Sequence, residues 1–305
     1  MKVLITGVNG FVGKNLFSYL IDRGFKVLGT DLYNTPLQGD LTDETFVFGQ
    51  LSEMSFDAIV HLGGIVEIQK TIENPFLCYK INDLGTLNVL ELAARNRVKR
   101  FIYASSANVF GLPIRLPVRE TTPFNPRTPY DHSKVIGESL VNSYYLHRSV
   151  PTVILRSWKL YGEHDNPNSA IPKFIEACLE GKKIFLHNAG TDVTDPVYIQ
   201  TYCEIIELCL LKEQAVGEAF NVGGGKKYSI REIAERIRFL MKSKSKLYDL
   251  PSRSSVELEP MKSYPSITKI RKRLGYSSEY DLDEGLKRTI VWFTRHQKTV
   301  IERSL

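Results

Sequence analysis

The chain begins with a short apolar run that leads into three evenly spaced glycines. Lys2–Thr6 (KVLIT) is followed by Gly7, Gly10 and Gly13, and apolar residues then recur at helical spacing until Gly24. A glycine turn between a strand and a helix lets the phosphates of a ligand approach backbone N–H groups at the helix N-terminus. The glycines therefore predict either a dinucleotide site or an ordinary tight turn, and their spacing alone does not choose between the two.

Strands and helices continue to alternate beyond this turn. Apolar runs and helical periodicity predict strands over 26–31, 57–64, 100–106 and 152–158 and helices over 84–95 and 130–146. Strands that alternate with helices of this length indicate a parallel sheet covered on both faces, and right-handed crossovers make it doubly wound. We therefore predict an α/β fold, a doubly wound parallel sheet of the Rossmann type, with a smaller mixed α/β C-terminal part that binds substrate.

The second predicted strand ends at Asp31, eighteen residues after Gly13. A carboxylate at this place accepts hydrogen bonds from adenosine ribose hydroxyls and repels a 2′-phosphate, so NAD is favoured over NADP. A polar residue at a strand end is also common without any cofactor. We assign residues 1–165 to an NAD-binding Rossmann domain to which 195–224 return, and residues 166–194 and 225–305 to a substrate-binding domain.

The stretch TPYDHSK supplies a candidate reacting group. Tyr130 and Lys134 are four residues apart and share one face of the predicted helix. Lowering a tyrosine pKa from ~10 by about three units requires roughly 4 kcal/mol, which one cation about 4 Å away can supply. The same spacing also arises by chance. Here it follows a strand that ends with Ser105 and Ser106, whose hydroxyls would enter the same crevice.

Composition excludes several classes of protein. The 305 residues are 43% hydrophobic and 24% charged, and no apolar run approaches the ~20 residues of a membrane-spanning helix. The four cysteines and six histidines form no CxxC or HExxH pattern, so we expect a reduced, cytoplasmic protein without a metal site. The net charge of +6 comes without aromatic–basic interleaving, so no nucleic-acid partner is predicted.

These motifs together resemble a known family. The chain resembles the extended short-chain dehydrogenases/reductases and, among them, the NAD-dependent sugar epimerases and dehydratases. The matching stretches are, in this order, TGVNGFVG, GDLTD, HLGG, YASSANVFG, YDHSK and LRSWKLYG. GEAFNVGGGKKYSIREIA and ITKIRKRLGY continue the likeness, so that it runs nearly from end to end. The chain is most similar to the branch of the UDP-glucose 4-epimerases.

The resemblance implies roles for particular residues. Tyr130 would be the catalytic base, Lys134 would hold the nicotinamide ribose, and Ser106 would hydrogen-bond the reacting oxygen. Ser106 is preferred to Ser105 because it stands four residues before Phe110. The cofactor-binding residues implied are Gly7, Gly10, Phe11, Val12, Gly13, Asp31, Asp40, Leu41, Leu62, Gly63, Gly64, Asn82, Tyr130, Lys134 and Trp158. Among these, Asn82 would help to fix the geometry of the site.

The substrate-binding residues depart from the family pattern. The residues assigned to this role are Ser106, Asn108, Tyr130, Lys159, Thr194 and Lys262. Lys159 stands where the epimerases usually have an asparagine, and Thr194 where they usually have an arginine that grips the diphosphate. A threonine offers one hydroxyl in place of a planar, two-pronged donor. Lys159 or Lys262 could replace the lost charge, or either could be an ordinary surface residue.

Three functions follow as hypotheses. The first is a nucleotide-sugar 4-epimerase that keeps its NAD and acts on a UDP-sugar through a transient 4-keto sugar. The second is a dehydrogenase or ketoreductase, of a nucleotide sugar or another alcohol, that releases its cofactor. The third is a non-catalytic NAD-binding protein, which the joint presence of Ser106, Tyr130 and Lys134 disfavours. By resemblance we also expect a homodimer formed through helices 84–95 and 130–146, and no membrane partner.

Overall fold

The computed structural model describes residues 1–252, 261–277 and 279–302. Its strands are β1 (Lys2–Thr6), β2 (Lys26–Asp31), β3 (Leu37–Gln38), β4 (Ala58–His61), β5 (Arg100–Ser106), β6 (Thr152–Ser157), β7 (Leu160–Tyr161), β8 (Ile184–His187), β9 (Val193–Thr194), β10 (Val197–Tyr198), β11 (Glu218–Val222), β12 (Tyr228–Ser229) and β13 (Leu247–Leu250). Its α-helices are α1 (Phe11–Asp22), α2 (Ile68–Glu73), α3 (Pro75–Tyr79), α4 (Gly85–Arg95), α5 (Pro129–Arg148), α6 (Ala170–Leu179), α7 (Ile199–Leu211), α8 (Ile230–Leu240), α9 (Thr268–Leu274) and α10 (Leu282–Glu302).

Seven of these strands form the central sheet. Their order is β11-β6-β5-β4-β1-β2-β3, and each neighbouring pair is parallel. The chain runs outward from β1 to β3 on one side and then returns to build the other side from β4. This reversal puts a crevice beside the carboxyl ends of β1 and β4, the place where open α/β sheets bind ligands. The predicted Rossmann-type fold is confirmed.

The sheet is covered on both faces by apolar side chains. Within β1, Val3 and Ile5 belong to one buried cluster, whereas Leu4 between them belongs to the other. Successive side chains of a strand point to opposite faces, so a continuously apolar strand serves two cores at once. Helices α1 and α7 pack together on one face, and α4 and α5 pack together on the other.

The predicted elements differ from the observed ones mainly at their ends. The strand expected over 57–64 ends at His61, because residues 62–64 leave the sheet and line a cavity. The helix expected from residue 84 begins at Gly85, after a π-helical turn over Lys80–Leu84.

The C-terminal half is built from short two-stranded pairs and helices. β7 pairs with β10, β9 with β12, and β8 with β13. Helices α6, α8 and α10 pack against one another beside these pairs. Strand β11 lies in the central sheet next to β6, so part of the chain after residue 195 is found there. The division into two domains stays a prediction.

All four cysteines are buried and carry free thiols. Within the described ranges, no helix has both the length and the apolar character that crossing a membrane requires.

Candidate active site

A large cavity of about 890 Å³ lies at the carboxyl edge of the central sheet. Its walls come from the ends of β1, β2, β4, β5 and β6 and from the loops that follow them, together with β9 and residues after 260. Because the strands are parallel, their carboxyl ends meet at one edge and bring distant parts of the sequence together. Most of the predicted site residues lie around this one cavity.

The three glycines make room for a ligand at the start of α1. Gly7 has φ +71°, which favours glycine, and its carbonyl oxygen accepts a hydrogen bond from the Gly10 N–H at 3.1 Å. A Cβ on Gly13 would lie 2.2 Å from that same oxygen. Gly10 is the N-cap of α1 and supplies no capping side chain, so N–H groups of the first turn remain for a phosphate. Phe11 and Val12 line the cavity there.

Two aspartates lie at the predicted adenosine end. The Asp31 carboxylate accepts hydrogen bonds from the backbone N–H of Asn9 and of Leu32, each at 2.8 Å. These bonds hold the carboxylate at the cavity wall at the end of β2. Asp40 and Leu41 line the same wall. The arrangement fits the ribose of an adenosine, and it leaves a negative charge where NADP would carry a 2′-phosphate.

Asn82 supports the site from behind the cavity wall. Residues 62–64 line the cavity, whereas Asn82 is buried beneath them and lies outside the lining. Its amide accepts from the Ile65 N–H at 2.7 Å and donates to the Ser133 Oγ at 2.9 Å. Ser133 in turn donates to the Tyr130 carbonyl at 2.8 Å. Asn82 thus lies outside the cavity lining and is hydrogen-bonded between the 62–65 segment and the start of α5, and its role in fixing the geometry of the site stays a prediction.

Helix α5, which carries the predicted catalytic residues, begins with a capping box. Thr128 accepts from the Asp131 N–H, and the Asp131 carboxylate accepts from the Thr128 N–H at 3.0 Å. Pro129 occupies the first turn, where its missing N–H costs nothing. Such a capping box fixes the first turn of a helix. Tyr130 and Lys134, which follow at once, both line the cavity.

The phenol of Tyr130 is buried against Ser106. Burial raises the pKa of Tyr130 to about 12, and its hydrogen bond with Ser106 opposes the rise. The Lys134 Nζ lies 5.9 Å from the centroid of the Tyr130 ring. The sequence argument expects this lysine to lower the pKa of Tyr130, and that expectation stays a prediction. In the protein alone burial has the largest influence on this pKa, and positive charge near the phenol favours its ionised form.

Lys134 is held under the end of β5. Its Nζ donates to the Ala104 carbonyl oxygen at 2.8 Å and lies 4.9 Å from the centroid of the Tyr103 ring. Burial lowers the pKa of Lys134 to about 8, and the carboxylates of Asp83 and Glu138 oppose this fall. The lysine thus has acidic neighbours that favour its charged form.

The two serines at the end of β5 point to different partners. Ser105 is buried and donates its hydroxyl to Glu138 Oε1 at 2.5 Å. Both serines line the cavity, but Ser106 is hydrogen-bonded to Tyr130 and accepts from the Asn108 N–H at 3.2 Å. These partners favour Ser106 over Ser105, and its catalytic role stays a prediction. Asn108 also lines the cavity.

Another part of the cavity lining carries the predicted cofactor residue Trp158 and two predicted substrate contacts. Trp158 donates its Nε1–H to Ser263 Oγ at 3.0 Å and stacks on Phe110 with ring centroids 6.0 Å apart. Lys159 and Thr194 line this wall. Within the described part of the chain, the cations that line the cavity are Lys134 and Lys159, and no arginine joins them.

Lys262 is one predicted site residue that the structure does not bring into the cavity. Its neighbours Met261 and Ser263 line the wall, whereas Lys262 is exposed and lies outside the lining. Val193 forms a β-bridge with Lys262, so this segment is extended and alternate side chains point in opposite directions. Of the two lysines considered as replacements for the missing arginine, Lys159 lines the cavity and Lys262 does not, and the replacement itself stays a prediction.

Asp165 is a cavity residue that sequence reasoning missed. It is 6% exposed, and its Oδ1 accepts from the Asn166 N–H at 2.7 Å and from Ser169 Oγ at 3.1 Å. Within the described residues its Oδ2 is buried and has no hydrogen-bond partner. Burial raises the pKa of Asp165, and Lys159 opposes the rise. The surrounding stretch EHDNPNS reads as a polar loop, so no pattern marks this aspartate in advance.

The fold and site define an NAD-binding enzyme class with a tyrosine–lysine pair in its cavity. Comparison with known proteins agrees. Residues 3–223 match the model of the NAD dependent epimerase/dehydratase family. Because this match spans most of the chain, the protein belongs to that family, and its cofactor is NAD.

Its relatives include proteins with different printed activities. An uncharacterized protein of Methanocaldococcus jannaschii is 30% identical, with 97% of each chain covered. A putative UDP-glucose 4-epimerase of the same organism is 28% identical over 97% of this chain and 100% of its own. The human dTDP-D-glucose 4,6-dehydratase is 26% identical over 100% of this chain and 93% of its own. Epimerases and dehydratases thus stand at similar distances.

Solved structures give the same picture. An epimerase of Methanothermobacter thermautotrophicus superposes with a TM-score of 0.91 at 27% identity, covering 99% of this chain and 94% of its own. The UDP-glucose 4-epimerase of Thermus thermophilus, solved in complex with NAD, gives a TM-score of 0.87 at 25% identity, covering 96% and 99%.

Proposed function

We propose that this protein is an NAD-dependent 4-epimerase of a nucleotide sugar, of the UDP-glucose/UDP-galactose type. The observation that carries the proposal is the meeting of Ser106, Tyr130 and Lys134 in one cavity beside the glycine turn. A hydroxyl and a phenol that share a hydrogen bond are suited to hold one sugar oxygen between them.

In this mechanism Tyr130 accepts the proton of the sugar C4 hydroxyl while Ser106 hydrogen-bonds the same oxygen. Lys134 stabilises the phenolate by its charge and holds the nicotinamide ribose. Bound NAD would supply the hydride acceptor and donor of the reaction and a positive charge in the site. The 4-keto sugar must then rotate, so that its other face meets the hydride donor, before Tyr130 returns the proton. This rotation requires that the residues around the substrate do not hold the sugar ring in one orientation.

The residues after Ser106 favour epimerisation over dehydration. Elimination of water from a sugar needs an acid/base group beside the ring in addition to the tyrosine. The positions after Ser106 are occupied by Ala107 and Asn108, neither of which titrates, and both line the cavity. The dehydratases among the relatives belong to the same family, but we propose that the epimerases are the better model for the reaction of this chain.

The proposal is tested by incubating purified protein with UDP-galactose, without added cofactor, and following UDP-glucose by chromatography. We expect conversion, and we expect Tyr130→Phe to lower it by at least about 1,000-fold because the base is lost. The matched control is Tyr145→Phe, which removes a phenol at the far end of the same helix. Equal rates for wild type and Tyr130→Phe would contradict the assigned base.

A dehydrogenase or ketoreductase that releases its cofactor is the second candidate. The observation that favours it is Thr194, a weak anchor for a diphosphate, in a cavity whose described lining holds no arginine. Retention of NAD through purification separates the two, since an epimerase keeps its cofactor between turnovers. For the third candidate, a non-catalytic NAD-binding protein, Tyr130→Phe would leave the cellular role intact.

We also propose that the protein is a cytoplasmic homodimer. We expect helices α4 and α5 to pair across a two-fold axis. Exposed apolar side chains support an interface at α5 and the elements packed beside it, namely Ile136 on α5, Leu84 in the turn before α4, Ile72 on α2, and Phe76 and Leu77 on α3, of which Phe76 is 79% exposed. The four free, buried thiols are consistent with a reducing compartment. Light scattering on Ile136→Glu should give a monomer if this surface pairs, and an unchanged dimer would move the interface elsewhere.

A further inference from the structure

A buried ion pair lies behind the reacting residues, on the same face of α5. Tyr130, Lys134 and Glu138 follow one another at intervals of four residues, so the helix presents them along one line. The side chains of Glu138 and Arg156 are 2% and 7% exposed, and Arg156 Nη2 lies 2.7 Å from Glu138 Oε2. Arg156 Nε also donates to Oε1 at 2.9 Å. The pair is bidentate, so it fixes orientation as well as distance.

Arg156 connects this pair to the wall of the cavity. Its Nη1 donates to the Glu120 carbonyl oxygen at 2.9 Å. Its guanidinium lies 5.2 Å from the centroid of the Phe110 ring and 4.9 Å from that of Phe124. Phe110 in turn stacks on Trp158, which lines the cavity. These contacts together fix the position of the Arg156 side chain.

Glu138 also binds the strand that carries the reacting serine. Ser105 donates to Glu138 Oε1, and Ser106 is the next residue of β5. In the register of β5 and β6, Ser105 is paired with Arg156 and Ser106 with Ser157. One carboxylate therefore joins α5, β5 and β6 directly beneath the place where Ser106 meets Tyr130.

We propose that Glu138 and Arg156 are positioning residues, which hold α5 against β5 and β6 so that Ser106, Tyr130 and Lys134 keep their mutual distances. This inference rests on the catalytic roles proposed above. A buried ion pair often stabilises a fold no better than apolar side chains of equal volume, because desolvation offsets the attraction. What it supplies is directional bonding, and a misplacement of about 1 Å at a reacting group costs on the order of 100-fold in rate.

The same sheet offers a control pair that differs in burial. At the other end of β5, the buried Arg100 forms an ion pair with Glu213, its Nη2 2.7 Å from Oε1, away from the cavity. The side chain of Glu213 is 85% exposed, whereas that of Glu138 is 2% exposed. Glu138→Gln and Glu213→Gln each leave a buried arginine without its carboxylate, and Glu138→Gln should lower the unfolding temperature more. We expect Glu138→Gln to lower kcat about 100-fold with KM within about threefold, and Glu213→Gln to leave kcat within about twofold.

A second measurement needs no substrate. Because Lys134 is assigned to the nicotinamide ribose, its displacement should weaken NADH without affecting the adenosine end. We expect Glu138→Gln, freed of bound cofactor in the same way as the wild type, to raise the Kd of NADH about tenfold and leave the Kd of ADP within about twofold, measured by titration calorimetry. Glu213→Gln should change neither. This ratio of affinities reports positioning, whereas a general loss of stability would not move it at a temperature where the variants are folded.

Equal effects of the two substitutions on kcat and on the NADH-to-ADP ratio would overturn the inference and leave the pair a structural one. If the wild type converts no UDP-sugar, the proposed function fails, and the NADH-to-ADP ratio alone decides the inference. If Glu138→Gln does not fold, Ser105→Ala replaces it, because it removes one hydrogen bond to the same carboxylate. For Ser105→Ala we expect about a threefold rise in the Kd of NADH, and no rise would again overturn the inference.

Discussion

The two halves of the cavity are built from different materials. The cofactor half is shaped by backbone: the turn at Gly7, the N-terminus of α1 and residues 62–64. The substrate half is shaped by side chains such as Lys159, Thr194 and Asp165, carried on loops and short strands. Backbone contacts depend on φ, ψ and close approach, which few residues satisfy, whereas loop side chains can change without altering the fold. The cofactor is therefore easier to identify than the substrate.

The largest effect is expected from a substitution in the cofactor half of the cavity. In Gly13→Ala the new methyl group would lie 2.2 Å from the Gly7 carbonyl oxygen, so the turn or the helix must move. We expect the affinity for NAD to fall at least about 100-fold, measured by titration calorimetry. Gly49→Ala is the control, because a Cβ there meets nothing within 4 Å. Unchanged affinity in Gly13→Ala would show that the pyrophosphate does not sit on this turn.

A smaller effect should come from the carboxylate at the end of β2. Asp31→Asn removes the negative charge and keeps one of the two oxygens that accept from the backbone N–H groups of Asn9 and Leu32. We expect the preference for NAD over NADP to fall about tenfold, because repulsion of the 2′-phosphate is lost. Asp40→Asn, which removes a charge from the same wall, should leave the preference unchanged. Similar changes of the NAD-to-NADP preference in both variants would mean that the preference depends on the total negative charge of the wall and not on the position of Asp31.

The substrate half is tested by comparing two lysines. Lys159 lines the cavity and Lys262 does not, although both are exposed and either could replace the missing arginine on sequence grounds. We expect Lys159→Met to weaken the binding of UDP about fivefold, the loss of one exposed phosphate contact, and Lys262→Met to leave it within twofold. The reverse order would mean that the segment around Lys262 closes over the ligand in another arrangement.

Sequence patterns sufficed for the parts that obey local rules. Periodicity and glycine spacing predicted β1, α1 and the doubly wound sheet, since strand, turn and helix preferences act within a few residues. The positions of Tyr130 and Lys134 on one helix face followed from their spacing in the same way. The end of β4 did not, because residues 62–64 leave the sheet through contacts with Thr6, a residue distant in sequence.

Tertiary pairing explains what the sequence could not predict. Glu138 and Arg156 are eighteen residues apart and meet only because α5 packs on β5 and β6. Burial, which sequence does not display, raises the pKa of Tyr130, and an argument from the spacing to Lys134 does not include it. Lys262 is a candidate on sequence grounds because the sequence does not show which side chains of an extended segment face the cavity. In the structure its two neighbours line the cavity wall and Lys262 does not.

The smallest expected effect concerns Asp165, whose Oδ2 has no hydrogen-bond partner within the described residues. Burial raises the pKa of Asp165 above its ordinary value, with Lys159 opposing the rise. Between the unfolded and folded values the folded protein binds more protons than the unfolded chain, so stability falls as the pH rises through that window. Asp165→Asn does not titrate there, so its unfolding temperature should exceed that of the wild type above the window and approach it below.

We expect Asp165→Asn to gain about 1 kcal/mol at neutral pH, a rise of roughly 2 °C, followed by calorimetry from pH 4 to pH 8. Such a gain would mean that the substrate half keeps a buried charge at the expense of stability, as binding sites often do. Asp43→Asn is the control, because an exposed aspartate that accepts from the Thr45 N–H can be replaced by asparagine with little change. If Asp165→Asn were less stable at every pH, the carboxylate would be paired in solution, and the contrast between the two halves would lose one of its supports.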